Sequence, residues 1–222
     1  MLERLGPSLF PLEYAVKLAG ISEGDKVAEI GCDEDIGPAL MLARVCGVVY
    51  AIDKYPDRVK EYKRRLNNPI DLFLSPDLIT APILYLIKRR TPPIRKIQPM
   101  VAEAEALPFK ENSLAGIVFY HSFDWIDGLR GSPAEALKST HDSLQLGKHA
   151  IFIEYSPKDA DEREEMCRDI GFSVERHGNI VLGKKILEKP LDVSSREEYL
   201  GVPQQIKKNA ERARKTIRAG LR

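Results

Sequence analysis

Cysteine is scarce in this chain, with three in 222 residues (Cys32, Cys46 and Cys167) and no CxxC pair among them. That excludes a disulfide framework and argues against a structural zinc site, which needs clustered thiolates or imidazoles. No apolar run approaches the ~18 residues that a membrane-spanning helix requires. The opening MLERLGPSLFPLEYAVKLAG mixes acid, base and proline with short apolar runs, unlike a signal peptide, so a soluble protein of the cytoplasm is expected. An excess of one charge is also missing. The 34 Lys and Arg against 33 Asp and Glu leave a net charge of +1, so any nucleic-acid role must come from a local patch rather than bulk charge. Asn (67, 68, 112, 179, 209) and Gln (98, 145, 204, 205) are few beside so many charges, a bias that leans towards heat-adapted proteins. What remains is 43% hydrophobic and 30% charged, enough to bury a core in one domain with an appendage.

Periodicity reads as alternating strands and helices. Lys26–Ile30 is a short apolar run after a Gly24-Asp25 turn, followed by a helix over about 36–45. Residues 47–52 form a second strand ending in Asp53, with a helix beginning near Pro56, a residue suited to a first turn. Residues 116–120 and 149–154 read as two more buried strands separated by a helix over about 133–144. A helix over about 159–170 stops at Gly171, and two strands near 172–176 and 180–186 are joined by Gly178-Asn179, a hairpin signal. This order predicts an α/β protein, a doubly wound and mostly parallel sheet with an antiparallel C-terminal hairpin.

Two stretches break the rhythm. Residues 67–100 hold six of the fifteen prolines and read as an insertion in a domain spanning 1–187. Ile79, Ile83, Leu84, Leu86 and Ile87 give that insertion an apolar surface, which is expected to pack on the body or on a second copy of the chain as a homodimer contact. Residues 188–222 read as a basic, helical C-terminal extension with a thin apolar stripe through Ile206, Ala210, Ala213, Ile217 and Leu221. Lys88, Arg89, Arg90, Arg95 and Lys96 in the insertion, and seven basic residues from Lys207 onward, read either as an RNA-contacting surface or as solvated faces. No aromatic interleaving supplies base stacking, which favours the second.

The most informative residues surround the first strand. It ends in Val27-Ala28-Glu29-Ile30-Gly31-Cys32-Asp33, where Gly31 permits a tight turn at the carboxyl end of a parallel strand, the place where ligands bind in such sheets. Glu29 is acidic within an apolar strand and needs a partner if buried. Asp53 ends the second strand, where a carboxylate can accept from both hydroxyls of a ribose. A third landmark, Glu103-Ala104-Glu105-Ala106-Leu107-Pro108-Phe109, precedes the strand at 116–120.

Taken together, Glu29 and Gly31, Asp53, and Glu103 through Phe109 give a sequence that resembles the class I S-adenosylmethionine-dependent methyltransferases from Val27 to about Ile186. The resemblance implies a Rossmann-like methyltransferase fold with S-adenosylmethionine as cofactor. It implies that Glu29 and Gly31 face the methionyl part, that Asp53 takes the ribose hydroxyls, and that Glu103 and the Ala104 backbone N–H meet the adenine. A dinucleotide is disfavoured, because G-x-G-x-x-G is absent and a pyrophosphate would meet Glu29, Asp33, Glu34 and Asp35.

The family usually has Gly at the positions of Asp33 and Asp35. Three readings follow: Asp35 caps the next helix, Asp33 meets the methionyl ammonium, or the pocket is degenerate and the chain is a binding or scaffold protein, with RNA association one form of that. The segment Tyr120-His121-Ser122-Phe123-Asp124-Trp125 lies where the family's acceptor approaches, which makes His121 the base candidate and Tyr120 and Trp125 walls; the alternative is an aromatic cluster that closes the core. His141, His149 and His177 read as structural. The expected activity is methyl transfer to a small-molecule acceptor, with no metal and no membrane.

Overall fold

The computed structural model describes residues 11–67, 94–128 and 131–191, and every structural statement below concerns these residues. Two compact units divide the chain, Met1–Pro190 and Leu191–Arg222; Leu191 alone is described in the second. The expected apolar face at 79–87, its dimer contact, and all but the first few residues of the C-terminal extension lie outside the described residues.

Five strands run parallel. They are β1 (Lys26–Ile30), β2 (Val48–Asp53), β3 (Ile97–Val101), β4 (Leu114–Tyr120) and β5 (Leu144–Ile153). The hairpin β6 (Phe172–His177) and β7 (Ile180–Lys185) completes a seven-stranded sheet of order β3-β2-β1-β4-β5-β7-β6, with β7 antiparallel to both its neighbours. This is the doubly wound, mostly parallel architecture expected. Helices cover both faces of the central strands, so these read as near-continuous apolar runs: four of the five residues of β1 and six of the seven of β4 are buried.

The helices are α1 (Pro11–Leu18), α2 (Gly37–Val45), α3 (Pro56–Asn67), the short α4 (Asp124–Gly128), α5 (Pro133–Ser143) and α6 (Pro157–Ile170). Two of them begin alike: a Ser side chain accepts from the backbone N–H three residues on and Pro follows at the first helical position, with Ser132 capping α5 and Ser156 capping α6. Helix α6 ends at Gly171, whose φ of 101° closes the last turn.

The structure departs from the sequence reading in three places. Helix α1 went unread, although Leu12, Ala15 and Val16 make its buried stripe. Strand β3 was counted within the proline-rich insertion because Pro99 sits in it. The strand lies at the sheet edge, where a residue without an N–H costs no ladder bond. Strand β5 begins at Leu144 rather than His149, since the β4–β5 register jumps from Leu114↔Leu144 to Gly116↔His149. The buried Lys185 spans that irregularity, its Nζ donating to Leu144 O at 2.9 Å and to Asn112 Oδ1 at 2.8 Å.

His141 in α5 is fully buried, edge-on to Phe172 with ring centroids 5.2 Å apart, and neither ring nitrogen has a hydrogen-bond partner; the Asp142 carboxylate stays 3.8 Å away. Burial, with Lys185 adding to it, pushes its pKa down to about 4. A folded-state pKa below the unfolded value means stability that is present above the unfolded pKa and lost as pH falls towards the folded one. We expect the wild type to lose about 2 kcal/mol between pH 8 and pH 5 through this group, and His141→Leu to remove that loss. Denaturant unfolding of both proteins across that range checks it.

Candidate functional site

The strand order reverses between β1 and β4, and ligands of open α/β sheets bind outside the carboxyl ends of the strands at that point. A cleft of about 1140 Å³ opens there. Every parallel strand supplies wall at its carboxyl end: Glu29–Asp33 and Asp35 from β1, Asp53–Tyr55 with Asp57 and Arg58 from β2, Ala102, Ala104 and Glu105 from β3, Tyr120–Ser122 from β4 and Tyr155 from β5.

The turn after β1 is built without slack. Gly31 has a φ of 72°, and a Cβ placed on it would stand 2.6 Å from Ser122 Cβ. The Ser122 hydroxyl donates to Ile30 O at 2.5 Å, while the Gly31 and Cys32 N–H groups donate to Ile52 O at 2.8 and 3.0 Å. Asp33 then takes a φ of 49°, a left-handed conformation that Asp tolerates better than most residues. The turn therefore keeps a glycine-like backbone without the glycine. The Asp33 N–H donates to Asp53 Oδ2 at 3.1 Å, and its half-exposed carboxylate pairs with Arg58 of α3. Asp35 Oδ1 accepts from the Gly37 N–H at 2.8 Å, satisfying one of the free N–H groups of α2, which starts one residue later than expected.

Asp53 is buried, and each of its oxygens accepts one backbone N–H, from Asp33 at 3.1 Å and from Tyr55 at 2.9 Å. A carboxylate has about four lone-pair sites, so both oxygens can still accept from a ligand. Glu29 is different. It is 2% exposed, lines the cleft, and its Oε2 has no hydrogen-bond partner among the described residues. Burial, and secondarily the Asp35 charge, pushes its pKa well above the ordinary range. A raised folded-state pKa favours the neutral acid, so the stability from this group is present in acid and lost as pH rises through the folded value. A ligand cation at Oε2 would offset that loss.

The opposite wall is aromatic. Past the end of β4, His121 takes a φ of 53°, its N–H donating to Ile153 O at 2.9 Å. Its ring stacks on Tyr155, with centroids 4.2 Å apart and planes 21° apart, and meets Tyr120 edge-on at 4.5 Å. Burial lowers its pKa, so the imidazole is neutral at physiological pH. Trp125 is 61% exposed on the cleft wall, whereas Phe123, two residues earlier, packs in the core against Phe119 and Phe152. The segment thus divides between core and cleft.

Arg163 of α6 fixes that wall from below. It is 4% exposed, donates from Nε to Glu154 Oε1 and from Nη2 to Asp124 Oδ1, both at 2.9 Å, and lies 3.5 Å over the Phe123 ring. Glu154 immediately precedes Tyr155, and Asp124 immediately precedes Trp125. One guanidinium therefore ties the ends of β4 and β5 together at the residues adjoining the two exposed aromatics. Burial outweighs Arg163 and holds the Glu154 pKa up at about 7.

The fold is similar to that of an S-adenosylmethionine-dependent methyltransferase from Aquifex aeolicus, with a TM-score of 0.59 at 17% identity over 80% of this chain and 89% of that one. A candidate S-adenosylmethionine-dependent methyltransferase from Methanococcus maripaludis gives 0.57 at 13% identity over 84% and 89% of the two chains. The chain has the class I methyltransferase fold. The cyclase SpnF also carries it, with a TM-score of 0.53 at 16% identity over 76% of this chain and 58% of that one. The fold therefore does not by itself name a reaction. No protein-family model matches the chain, and no curated protein sequence matches it.

Of the residues singled out from sequence, the structure brings Glu29, Gly31, Asp33, Asp53, Ala104, Tyr120, His121 and Trp125 into one cleft of this methyltransferase fold. Glu103 stands outside its wall, exposed, at the start of the Ala104–Ala106 turn. Glu105 lines the cleft instead and accepts from the Ser132 N–H at 3.0 Å. Sequence reasoning missed Arg58, Tyr155 and Arg163; adjacency to the acidic end of β5 is the one signal that pointed to Tyr155. Among the described residues no cluster of His, Cys, Asp and Glu could hold a metal ion, and no helix is long and apolar enough to cross a membrane.

Removing one partner of a buried ion pair costs about 3–5 kcal/mol. Arg163→Met should destabilise the protein by that order at pH 8, and by less at pH 6, where Glu154 takes up a proton. Thermal melts at the two pH values check the difference.

Proposed function

We propose that the protein is a methyltransferase that binds S-adenosylmethionine in this cleft and methylates a small-molecule acceptor. The observation that carries the reading is Glu29, a buried carboxyl that lines the cleft at the end of the central strand with one oxygen unpartnered among the described residues, where a cationic ligand would offset its burial. Three others support it: no side chain fits at Gly31, both Asp53 oxygens retain accepting capacity, and the fold is one that methyltransferases use. When bound, S-adenosylmethionine supplies an electrophilic methyl group on a sulfonium whose charge disappears in the displacement.

In this reading Glu29 accepts from the ligand ammonium, and Gly31 lets the ligand lie against the backbone. Asp53 accepts from the ribose hydroxyls, while the Ala104 backbone and the Glu103 carboxylate at the rim serve the adenine edge. Asp33, whose charge is engaged by Arg58, walls the cleft rather than holding the ammonium. The aromatic wall of Tyr120, His121 and Trp125 excludes water around the acceptor, and orientation there supplies much of the rate. Neutral His121 takes the acceptor's proton where the acceptor must lose one.

Calorimetric titration with S-adenosylmethionine and S-adenosylhomocysteine tests this. Wild type should bind both, and Asp53→Ala should weaken each by ~1–3 kcal/mol, the scale for hydrogen bonds to a charged acceptor. Asp33→Gly keeps the left-handed turn and breaks a half-exposed ion pair, so affinity should change by about fivefold at most. No heat and no thermal shift with either ligand at millimolar concentration would instead mark a scaffold on the same fold.

A further inference from the structure

The two halves of the cleft differ in chemistry. Its six carboxylates (Glu29, Asp33, Asp35, Asp53, Asp57 and Glu105) and its three cations (Lys54, Arg58 and Arg65) all lie in or after β1, β2 or β3 in the chain, with Glu105 reaching over to the Ser132 N–H. From the ends of β4 and β5 the described lining residues carry no charge: Tyr120, His121, Ser122, Trp125, Ile126 and Tyr155. Asp124, Glu154 and Arg163, which adjoin that side, are bound to one another and do not line the wall.

Trp125 and Tyr155 are 61% and 62% exposed although both belong to a concave wall. Large aromatic faces left open in a cleft mark a surface that a ligand covers. The residues preceding both share the Arg163 clamp, and Tyr155 stacks on His121. His121 holds a left-handed backbone, and a residue kept in so unfavourable a conformation is a mark of functional constraint. At about 1140 Å³ the cleft exceeds what one drug-sized ligand needs, leaving room for a second small molecule beside the cofactor.

Resting on the methyltransferase reading, we propose that the β4–β5 half is the acceptor subsite and that it selects a planar ring without negative charge, aromatic or heteroaromatic, which stacks on the aromatic faces of Trp125, Tyr155 and His121. An anionic acceptor would find no cation among the described lining residues there. A saturated ring of equal size would bury similar area but forgo the ring–ring geometry.

The test uses three probes of similar size: 2-naphthol, its saturated analogue decahydro-2-naphthol and the anion 2-naphthoate. Each is titrated by calorimetry at pH 7 into the full chain, with and without saturating S-adenosylhomocysteine. The expected result is that 2-naphthol binds at least about tenfold more tightly than the other two, and does so alongside S-adenosylhomocysteine. Tyr155→Leu should then lose at least about fivefold for 2-naphthol and nothing for S-adenosylhomocysteine, while Tyr155→Phe restores the wild-type value. Equal or tighter binding of the anion or the saturated ring overturns the proposal, as does competition between 2-naphthol and S-adenosylhomocysteine. Selective 2-naphthol binding in a protein that takes no S-adenosylhomocysteine would sink the methyltransferase reading and leave the ring subsite standing.

Discussion

Folding buries the Glu29 carboxyl at the carboxyl end of the central strand and leaves one of its oxygens without a partner among the described residues. His121 Nδ1 on the opposite wall also lacks a partner among them, but the other acids at the ends of β1 and β2 are better provided for. Asp53 accepts two backbone N–H groups, Asp33 has Arg58, and Asp35 has the Gly37 N–H. Such a group is costly in an apolar strand, and the cost is offset when a donor or cation enters the cleft. The neighbouring turn is shaped by the same requirement. Gly31 brings the backbone close against Ser122, and Asp33 carries the chain through a left-handed residue, so that the strand end opens onto the cleft instead of closing over Glu29.

The second half of the cleft answers to a different constraint, the need to expose aromatic rings without letting them collapse onto the core. Phe119, Phe123 and Phe152 make that core, and Arg163 caps it by lying on Phe123 while reaching Asp124 and Glu154. Burial, with a smaller contribution from the Asp124 charge, outweighs Arg163 and keeps the Glu154 proton affinity high. Holding both strand ends through one residue fixes Trp125 and Tyr155 relative to each other, and it keeps charge out of the wall they form. Charged lining residues thus come from β1, β2 and β3 or the segments after them, while β4, β5 and the segments after them supply Tyr120, His121, Trp125 and Tyr155.

Much of this was legible in the sequence because it is local. Strand β1 was read to the residue and β2 and β4 within two, since buried parallel strands leave apolar runs between turn residues. The hairpin followed from Gly178-Asn179. Edges and irregularities were not legible. Pro99 disguised β3, and the polar Gln145–Lys148 stretch hid the start of β5, whose irregularity is relieved by Lys185 some forty residues later. Within the site, strand ends named Glu29, Asp53 and His121, because a strand's last residues point at the ligand side whatever the rest of the chain does. The partners went unread because they are long-range: Arg58 lies twenty-five residues beyond Asp33, and Arg163 thirty-nine beyond Asp124. For the same reason the opposed uses of Glu103 and Glu105 could not be separated, as a short 3-10 turn decides which carboxylate faces the cleft.

The central claim, that Glu29 receives a ligand cation, has a direct readout in protons. Burial raises the proton affinity of this carboxyl and an arriving ammonium lowers it again, so binding is accompanied by proton release at pH between the two pKa values. Calorimetry of S-adenosylhomocysteine binding at several pH values from 5 to 8, repeated in buffers of different ionisation enthalpy, counts that proton. The account predicts net proton release by the wild type and none by Glu29→Gln, with weaker binding in the variant. Binding with no proton released by the wild type, or an equal release by Glu29→Gln, would contradict it.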